Sequence, residues 1–101
     1  PYRLLPQSEV ANQQRIRITN QLRDTQSFTV SVLDPPEAKL LLSESPVTVP
    51  PAEHVAVNAV TTVPAAVFRD GQAKVRYLLV SDQGFRKEIE FLLLGPYREG
   101  E

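Results

Sequence analysis

The sequence contains no cysteine, methionine or tryptophan, and only one histidine and four glycines among its 101 residues. Without cysteine the chain cannot form a disulfide, use thiolate chemistry, ligate an iron–sulfur cluster or build a zinc site from cysteine and histidine. Four dispersed glycines leave no glycine-rich run to cradle a phosphate. Stability must therefore come from packing, and a disulfide-free domain is compatible with either side of a bacterial inner membrane.

An excess of charge of one sign is also missing. Eleven Lys and Arg stand against 12 Asp and Glu, for a formal net charge of -1. The densest basic group, Arg15, Arg17 and Arg23, is followed by Asp24 and lacks aromatic stacking partners. This composition favours a solvated strand face over a nucleic-acid surface, so we expect no nucleic-acid partner.

Long hydrophobic runs are absent too. No apolar stretch approaches the ~20 residues that a membrane-spanning helix needs, and no secretory signal pattern is present. The chain starts at Pro1 rather than at a methionine, so we expect a fragment of a longer polypeptide. A chain of this length buries roughly 65% of the surface that its unfolded form exposes, which is enough for one core. We therefore expect a single domain over residues 1–101.

The sequence does contain clear strand patterning. Two segments alternate apolar and polar residues with the period of two that a half-buried strand shows, and a polar connection from Asn20 to Gln26 separates them. The predicted core positions of these strands are Ile16, Ile18, Phe28, Val30 and Val32. Further short strands are predicted at 39–42, 47–49 and 54–63, each followed by a proline-containing break. Residues 65–68 fit either a helical turn or a loop.

The last two strands can be aligned residue by residue. A three-residue loop, Asp82-Gln83-Gly84, places glycine where a left-handed conformation is needed. The resulting register pairs Tyr77 with Ile89, Val75 with Phe91 and Arg76 with Glu90. The last of these pairs predicts a cross-strand ion pair worth about 0.2–1 kcal/mol. A slip by one residue would place Tyr77 opposite Glu88, so burial favours the first register.

Six or seven short strands, frequent turn signals and no amphipathic helix define the fold class. The pattern predicts an all-β fold, an immunoglobulin-like antiparallel β-sandwich of about seven strands. The missing cysteines and tryptophan argue only against the antibody branch of that class.

No residue pattern indicates catalysis, cofactor binding or metal ligation. His54, the only histidine, has neither a nucleophile nor an orienting group nearby in sequence. Glu88 and Glu90 share a face as paired carboxylates require, but neighbouring cations favour a solvated, charge-balanced face. Residues 34–37 supply only two carboxylates, too few for a calcium loop, and Ser43 lacks a nucleophile-elbow context. We therefore predict no catalytic, cofactor-binding or metal residue in this chain.

Binding surfaces are the remaining possibility. A carbohydrate platform needs exposed aromatic rings, and only Tyr2 and Tyr97 near the ends of the chain remain once Tyr77 is assigned inward. Four apolar residues fall on the outward face of the last hairpin: Leu78, Val80, Leu92 and Leu94. They predict either a partner surface or a face covered by a loop, a terminus or the ends of the sandwich.

Four segments together resemble one protein family: YRLLP (2–6), VANQQRIRITN (10–20), PVTVPPAE (46–53) and EFLLLGP (90–96). The sequence resembles the C-terminal immunoglobulin-like domain of the FixG proteins, also called CcoG or RdxA, which are cytochrome c oxidase accessory proteins. One departure is Ala52, at a position where such turns often carry glycine after proline.

The resemblance carries expectations about the parent protein. FixG-like proteins are inner-membrane polypeptides whose upstream part carries transmembrane helices and cysteine motifs for two iron–sulfur clusters. They assist assembly of the cbb-type haem–copper oxidase, and a copper-reducing role is assigned to that upstream redox part. The resemblance therefore implies a non-catalytic, periplasmic domain that holds no cofactor of its own and reaches the membrane only through its parent.

The implied partners are proteins, either oxidase assembly components or the parent's own membrane part. The resemblance assigns no oligomeric state and carries over no functional residue, because the family's functional motifs lie outside this stretch. The alternative is a generic adhesive or substrate-positioning sandwich of a secreted or cell-surface protein.

Overall fold

The computed structural model describes residues 2–96 and shows two antiparallel sheets packed face to face. The strands are β1 (Tyr2–Leu5), β2 (Glu9–Thr19), β3 (Gln26–Asp34), β4 (Lys39–Leu42), β5 (Val47–Val49), β6 (His54–Pro64), β7 (Gln72–Ser81) and β8 (Arg86–Leu94). Sheet 1 has the order β1-β2-β6-β4 and sheet 2 the order β5-β3-β7-β8. Within residues 2–96 the only helical elements are two 3-10 turns, Pro6–Ser8 and Ala65–Val67. The predicted all-β sandwich is confirmed, with eight strands.

The alternating residues line the space between the sheets. Ile16, Ile18 and Phe28 are 3% exposed or less, as the pattern predicts. Val30 and Val32 are half-buried and pack against the edge of this core. A second cluster fills the other half of the sandwich and consists of Val10, Val63, Phe68, Ala73, Val75, Tyr77 and Leu93. The predicted inward faces of the first two strands are therefore correct.

The β7–β8 hairpin has the predicted register. Val75 lies opposite Phe91, Arg76 opposite Glu90 and Tyr77 opposite Ile89, and Gly84 has a φ of 86°. The predicted Arg76–Glu90 ion pair is nevertheless wrong. Arg76 Nη1 lies 3.0 Å from Glu88 Oε1, and Glu90 pairs with Lys74. A long guanidinium side chain reaches the diagonal neighbour on the next strand as readily as the residue directly opposite.

One extended segment supplies an edge strand to each sheet. β4 pairs with β6 in sheet 1, and after the cis Ser45–Pro46 bond β5 pairs with β3 in sheet 2. Each of these edge strands has only three or four residues. The short pairing limits how much unpaired backbone this side of the sandwich presents.

Strand β2 is longer than its apolar alternation. Ile16 and Ile18 mark only its second half, because the inward positions of the first half include Asn12 and Gln14. Asn12 Nδ2 donates to the carbonyl of Leu94 at 2.9 Å, and Asn12 Oδ1 accepts from the Leu94 N–H at 3.2 Å. These bonds join β2 of sheet 1 to β8 of sheet 2, so the two strands lie on the same side of the sandwich.

The first strand covers only part of β2. β1 pairs with residues 9–12, whereas β2 continues to Thr19. Among the described residues no strand pairs with the other edge of residues 13–19. The side of the sandwich between β2 and β8 is therefore open over about half its length.

Two connections between strands differ in how well the sequence predicted them. Residues 65–67 form a 3-10 turn, which resolves the choice between a turn and a loop. The polar connection between β2 and β3 is shorter than predicted, because Gln26 already belongs to β3. Both of its end residues, Asn20 and Gln26, are buried.

Candidate binding surfaces

The four apolar residues predicted on the outward face of the last hairpin, named here the leucine face, lie where the register puts them. Leu92 and Leu94 on β8 are 53% and 46% exposed. Leu78 and Val80 on β7 are half-buried on the same side of sheet 2. They form two pairs at opposite ends of the hairpin, as the register requires. The more exposed pair lies beside Lys74 and Gln72.

An ion network separates the two pairs of the leucine face. Arg76 approaches Glu88 at 3.0 Å and Asp34 of β3 at 3.5 Å, and Lys74 lies 3.9 Å from Glu90. All of these side chains are 44–66% exposed, so each pair contributes little to stability. The network divides the face, and the exposed apolar part is the Leu92–Leu94 end.

A second surface lies at the end of the sandwich where the β2–β3 and β7–β8 loops meet. These loops border a cleft of about 570 Å³ on the open side between β2 and β8, named here the loop-end cleft. Ile18, Leu79 and Ile89 line its inner part. Leu22 and Phe85, one from each loop, line it and remain 45% and 40% exposed. Large apolar side chains on two separate loops therefore face one opening.

The loop-end cleft has a one-sided charge. Its lining includes Arg17 and Lys87 but no aspartate or glutamate. The Arg17 guanidinium turns toward β6, where its Nη2 lies 3.2 Å from His54 Nε2. Lys87 belongs to the inward-facing series of β8 and is exposed at the rim. The cleft combines apolar walls with a positive border.

A buried hydrogen-bond network fixes both loops around the cleft. Asn20 Oδ1 accepts from Gln26 Nε2 at 2.5 Å and from the Leu22 N–H at 2.9 Å. Ser81 Oγ donates to Gln26 Oε1 at 2.6 Å and accepts from the backbone of Phe85 at 3.2 Å. The backbone N–H groups of Leu22 and Phe85, whose side chains are exposed in the cleft, thus belong to one connected network.

Sequence reasoning missed this network, although a signal was present. Asn20 continues the inward series of Ile16 and Ile18 by a step of two, and Gln26 precedes Phe28 by the same step. Strand periodicity therefore placed both polar side chains inward, and only their polar character suggested a solvated connection.

A second buried polar group joins the two sheets. Tyr77 of β7 donates to Gln14 Oε1 at 3.0 Å, and the Thr61 hydroxyl of β6 lies 2.8 Å from the same oxygen and 2.5 Å from the Tyr77 hydroxyl. Burial raises the pKa of the Tyr77 hydroxyl, and the neighbouring Thr61 hydroxyl, which can donate to it, offsets part of this rise. The hydroxyl is fully surrounded by core and strand residues, so its role is to position the sheets.

The other residues considered from sequence have structural positions. His54 is exposed at the start of β6, where its Nε2 accepts from Arg17. Ser43 Oγ accepts from the Asn58 N–H at 3.2 Å. Tyr2 is 41% exposed on β1, and Tyr97 lies outside the described residues. Over residues 2–96 there is no group of three or more histidine and carboxylate side chains placed to hold a metal ion.

Residues 2–96 contain no helical element that could span a bilayer. Two antiparallel four-stranded sheets, with consecutive strands passing between them, define an immunoglobulin-like β-sandwich module. Residues 1–96 match the family model described as "IG-like fold at C-terminal of FixG, putative oxidoreductase". The chain belongs to this family, which confirms the resemblance drawn from its motifs. Comparisons with curated proteins and with solved structures found no match.

Proposed function

We propose that this chain is a non-catalytic accessory domain that docks or positions a FixG-type membrane-bound iron–sulfur protein during assembly of the cbb-type oxidase. Its membership of the FixG C-terminal family supports this assignment over a generic adhesive module. The observation that carries the docking role is the exposed end of the leucine face. In this proposal the domain is periplasmic, and its partner is an oxidase assembly component or the parent's own membrane part.

The energetics fit a docking contact of modest strength. Leu92 and Leu94 are about half exposed on an edge strand. Full burial of one leucine side chain stabilises by about 1.5–3 kcal/mol, so covering the exposed halves of two supplies about 2 kcal/mol. Lys74 and Glu90 flank them with opposite charges and can form a polar rim. An apolar centre with a polar rim is the usual anatomy of a protein–protein contact.

The test replaces both leucines in the full parent protein. In cells that produce the parent, Leu92→Asp with Leu94→Asp should lower the cbb-type oxidase activity of isolated membranes at unchanged parent level. Leu41→Asp is the matched control, because Leu41 is 72% exposed on β4 at the other side of the sandwich. Equal activity in the double variant and the control would refute docking through the leucine face.

A second experiment tests the parent itself. Antibodies raised against this domain should detect a polypeptide several times larger than 11.3 kDa that leaves membranes only with detergent. A parent that fractionates without membranes, or normal oxidase activity after deletion of the domain, would overturn the proposed function.

A further inference from the structure

The second half of β2 has one edge that no strand of the described part of the chain pairs with. The Asn20 N–H donates to the Glu53 carbonyl at 2.9 Å, toward β6. Successive residues of a central antiparallel strand direct their N–H and C=O groups to alternate neighbours. The N–H and C=O groups of the odd-numbered residues of β2 therefore point toward β1, whose described residues pair only with residues 9–12. Within residues 2–96, no strand pairs with the outward main-chain groups of Arg15, Arg17 and Thr19.

Positive charge dominates the outward side of this edge. Arg15 and Arg17 point away from the core, and both are exposed. Their partners on β6 are Asn58 and Ala56, and the next β6 partner is His54. No carboxylate belongs to this set of paired residues. A strand added here would place its outward side chains beside two arginines.

The inward side of the same edge is apolar. It opens on the loop-end cleft, where Ile18 and Ile89 lie between the sheets and Leu22 and Phe85 remain exposed. The inward side chains of an added strand would enter this cleft. The edge therefore supplies main-chain hydrogen bonds, an apolar site for alternate side chains and a positive border for the others.

The neighbouring edge of β8 is a poorer acceptor. The hydrogen bond between Ser81 N and Phe85 O places the free groups of β8 on its even-numbered residues. Asn12 occupies both free groups of Leu94, and Lys87 directs a charge inward. Inward charges and covered backbone are devices that block strand addition. Within residues 2–96, the second half of β2 has neither an inward charge nor a covered main chain on this edge.

A second copy of the chain fits this edge badly. If two copies paired antiparallel through β2, the outward N–H and C=O groups of one copy would have to lie opposite those of the other. This arrangement places Arg15 or Arg17 of one copy near the arginines of the other. Like charges directly opposite on neighbouring strands are destabilising. The charge of the edge favours a partner of opposite sign.

We propose that residues 13–19 of β2 accept an extended strand from a partner polypeptide in which acidic and apolar residues alternate. The partner's main chain bonds the free N–H and C=O groups, its carboxylates pair with Arg15 and Arg17, and its apolar side chains enter the loop-end cleft. Strand addition to an exposed edge is a recurrent mode of peptide recognition. This inference does not depend on the leucine face, so the two can fail separately.

The experiment titrates the chain with the synthetic peptide acetyl-SEVEVEVS-amide and follows amide hydrogen exchange by NMR. Exchange should slow at the N–H groups of Arg15, Arg17 and Thr19 and stay unchanged at Glu88 and Glu90. We expect saturable binding with a dissociation constant below about 1 mM, equivalent to about 4 kcal/mol. Absence of saturable binding, or protection at the β8 amides instead, would overturn the proposal.

Peptide controls separate strand addition from general attraction. Methylating the peptide nitrogens at every second residue, in the phase that faces β2, should abolish binding, whereas methylating the other phase should largely preserve it. The lysine version, acetyl-SKVKVKVS-amide, should bind at least fivefold more weakly, since opposite-charge pairs are replaced by repulsion, each worth about 0.2–1 kcal/mol. Equal binding of the two methylated forms, or of the acidic and basic peptides, would contradict the inference.

A matched pair of protein variants tests the location. Arg15→Glu with Arg17→Glu should weaken binding of the acidic peptide about tenfold. Lys39→Glu with Arg86→Glu changes the net charge equally on exposed residues outside β2 and should leave binding unchanged. Circular dichroism of both variants checks that each of them is folded. Equal weakening by both pairs would show a response to net charge alone and refute a site on β2.

Discussion

Gly95 is the position where adding one methyl group should cost the most. It follows β8, and its N–H donates to the Gly71 carbonyl at 2.8 Å. A Cβ atom at Gly95 would stand 2.5 Å from Cε2 and 2.8 Å from Cγ of Phe68, and closer still to Cδ2. Phe68 is fully buried in the second core cluster, so its ring has no free space to turn into. We therefore expect Gly95→Ala to be strongly destabilising.

The magnitude follows from the size of the overlap. Carbon atoms in contact normally stand about 3.5–4.0 Å apart, so the ring or the strand must shift by about 1 Å. Overpacking of this kind costs about 1–3 kcal/mol. For a domain of about 100 residues, a loss of about 2 kcal/mol lowers Tm by roughly 8–16 °C. A shift of the strand would also weaken the hydrogen bond to Gly71.

Urea unfolding followed by far-ultraviolet circular dichroism measures the change in unfolding free energy and needs no tryptophan. Gly84→Ala separates two costs, because its added Cβ has nothing within 4 Å and its loss of stability reports only the strain of a positive φ of 86°. Phe68→Leu with Gly95→Ala should lose less than the sum of the two single variants, since the smaller side chain removes the overlap. The steric argument would be refuted if the unfolding free energy of Gly95→Ala lay within about 0.5 kcal/mol of that of the unsubstituted chain, or if the losses of the two single variants were strictly additive.

Three further substitutions test the assigned positions. Ile18→Asp should unfold the domain, because Ile18 is 1% exposed and an unpaired carboxylate there lacks solvent; the melting temperature measures it. Ala52→Gly should raise the unfolding free energy by about 0.5–1 kcal/mol in urea, because Ala52 has a φ of 61° that glycine adopts without strain. Tyr77→Phe should cost about 1 kcal/mol at neutral pH through its lost hydrogen bonds. The pKa of Tyr77 is raised in the folded state, so the stability that the hydroxyl contributes is fully present below the ordinary pKa of 10.0 and is lost as pH rises through the folded pKa. The stability deficit of Tyr77→Phe relative to the unsubstituted chain should therefore shrink at high pH in urea titrations.

Each of these expectations has a contrary result. An unchanged melting temperature for Ile18→Asp would show that its inward assignment is incorrect. Ala52→Gly should not destabilise, and a loss of stability would mean that the turn has no left-handed residue. A stability deficit of Tyr77→Phe that stays constant to pH 11 would contradict the burial of the hydroxyl.

The β7–β8 hairpin shows how far local pattern reaches. Its register followed from a three-residue loop and two alternating series, both contained within residues 73–93. A slip by one residue would have exchanged the two faces, so burial allowed one register only. The partners of Arg76 did not follow, because its long side chain reaches Glu88 on the diagonal and its second acidic neighbour, Asp34, belongs to β3. The position of β3 beside β7 is set by the sheet order rather than by the hairpin.

The polar residues inside the sandwich are a second feature that the sequence pattern did not predict. Asn12, Gln14 and Thr61 occupy inward positions of β2 and β6, where periodicity expects apolar side chains. Their hydrogen-bond partners lie up to 82 residues away in sequence. A buried polar side chain is stable only when such a partner is present, so the first half of β2 could not be recognised from apolar alternation alone.

Of the candidate surfaces, one could be predicted from the sequence and the others could not. The leucine face followed from the hairpin register, because strand alternation fixes which side chains point outward. The open edge of β2 and the loop-end cleft did not, since both depend on the length of β1 and on the approach of β2 to β8.

By itself, the sequence determined the all-β class, most strand positions, the inward series of the strands with apolar alternation, the last hairpin and the family. These properties arise from local periodicity, from turn residues and from motifs that span a few residues. Only the tertiary structure decided the sheet order, the partners of buried polar side chains and the edge of β2 that no strand within residues 2–96 covers. Those features are contacts between segments far apart along the chain, and their energies depend on geometry that no local pattern specifies.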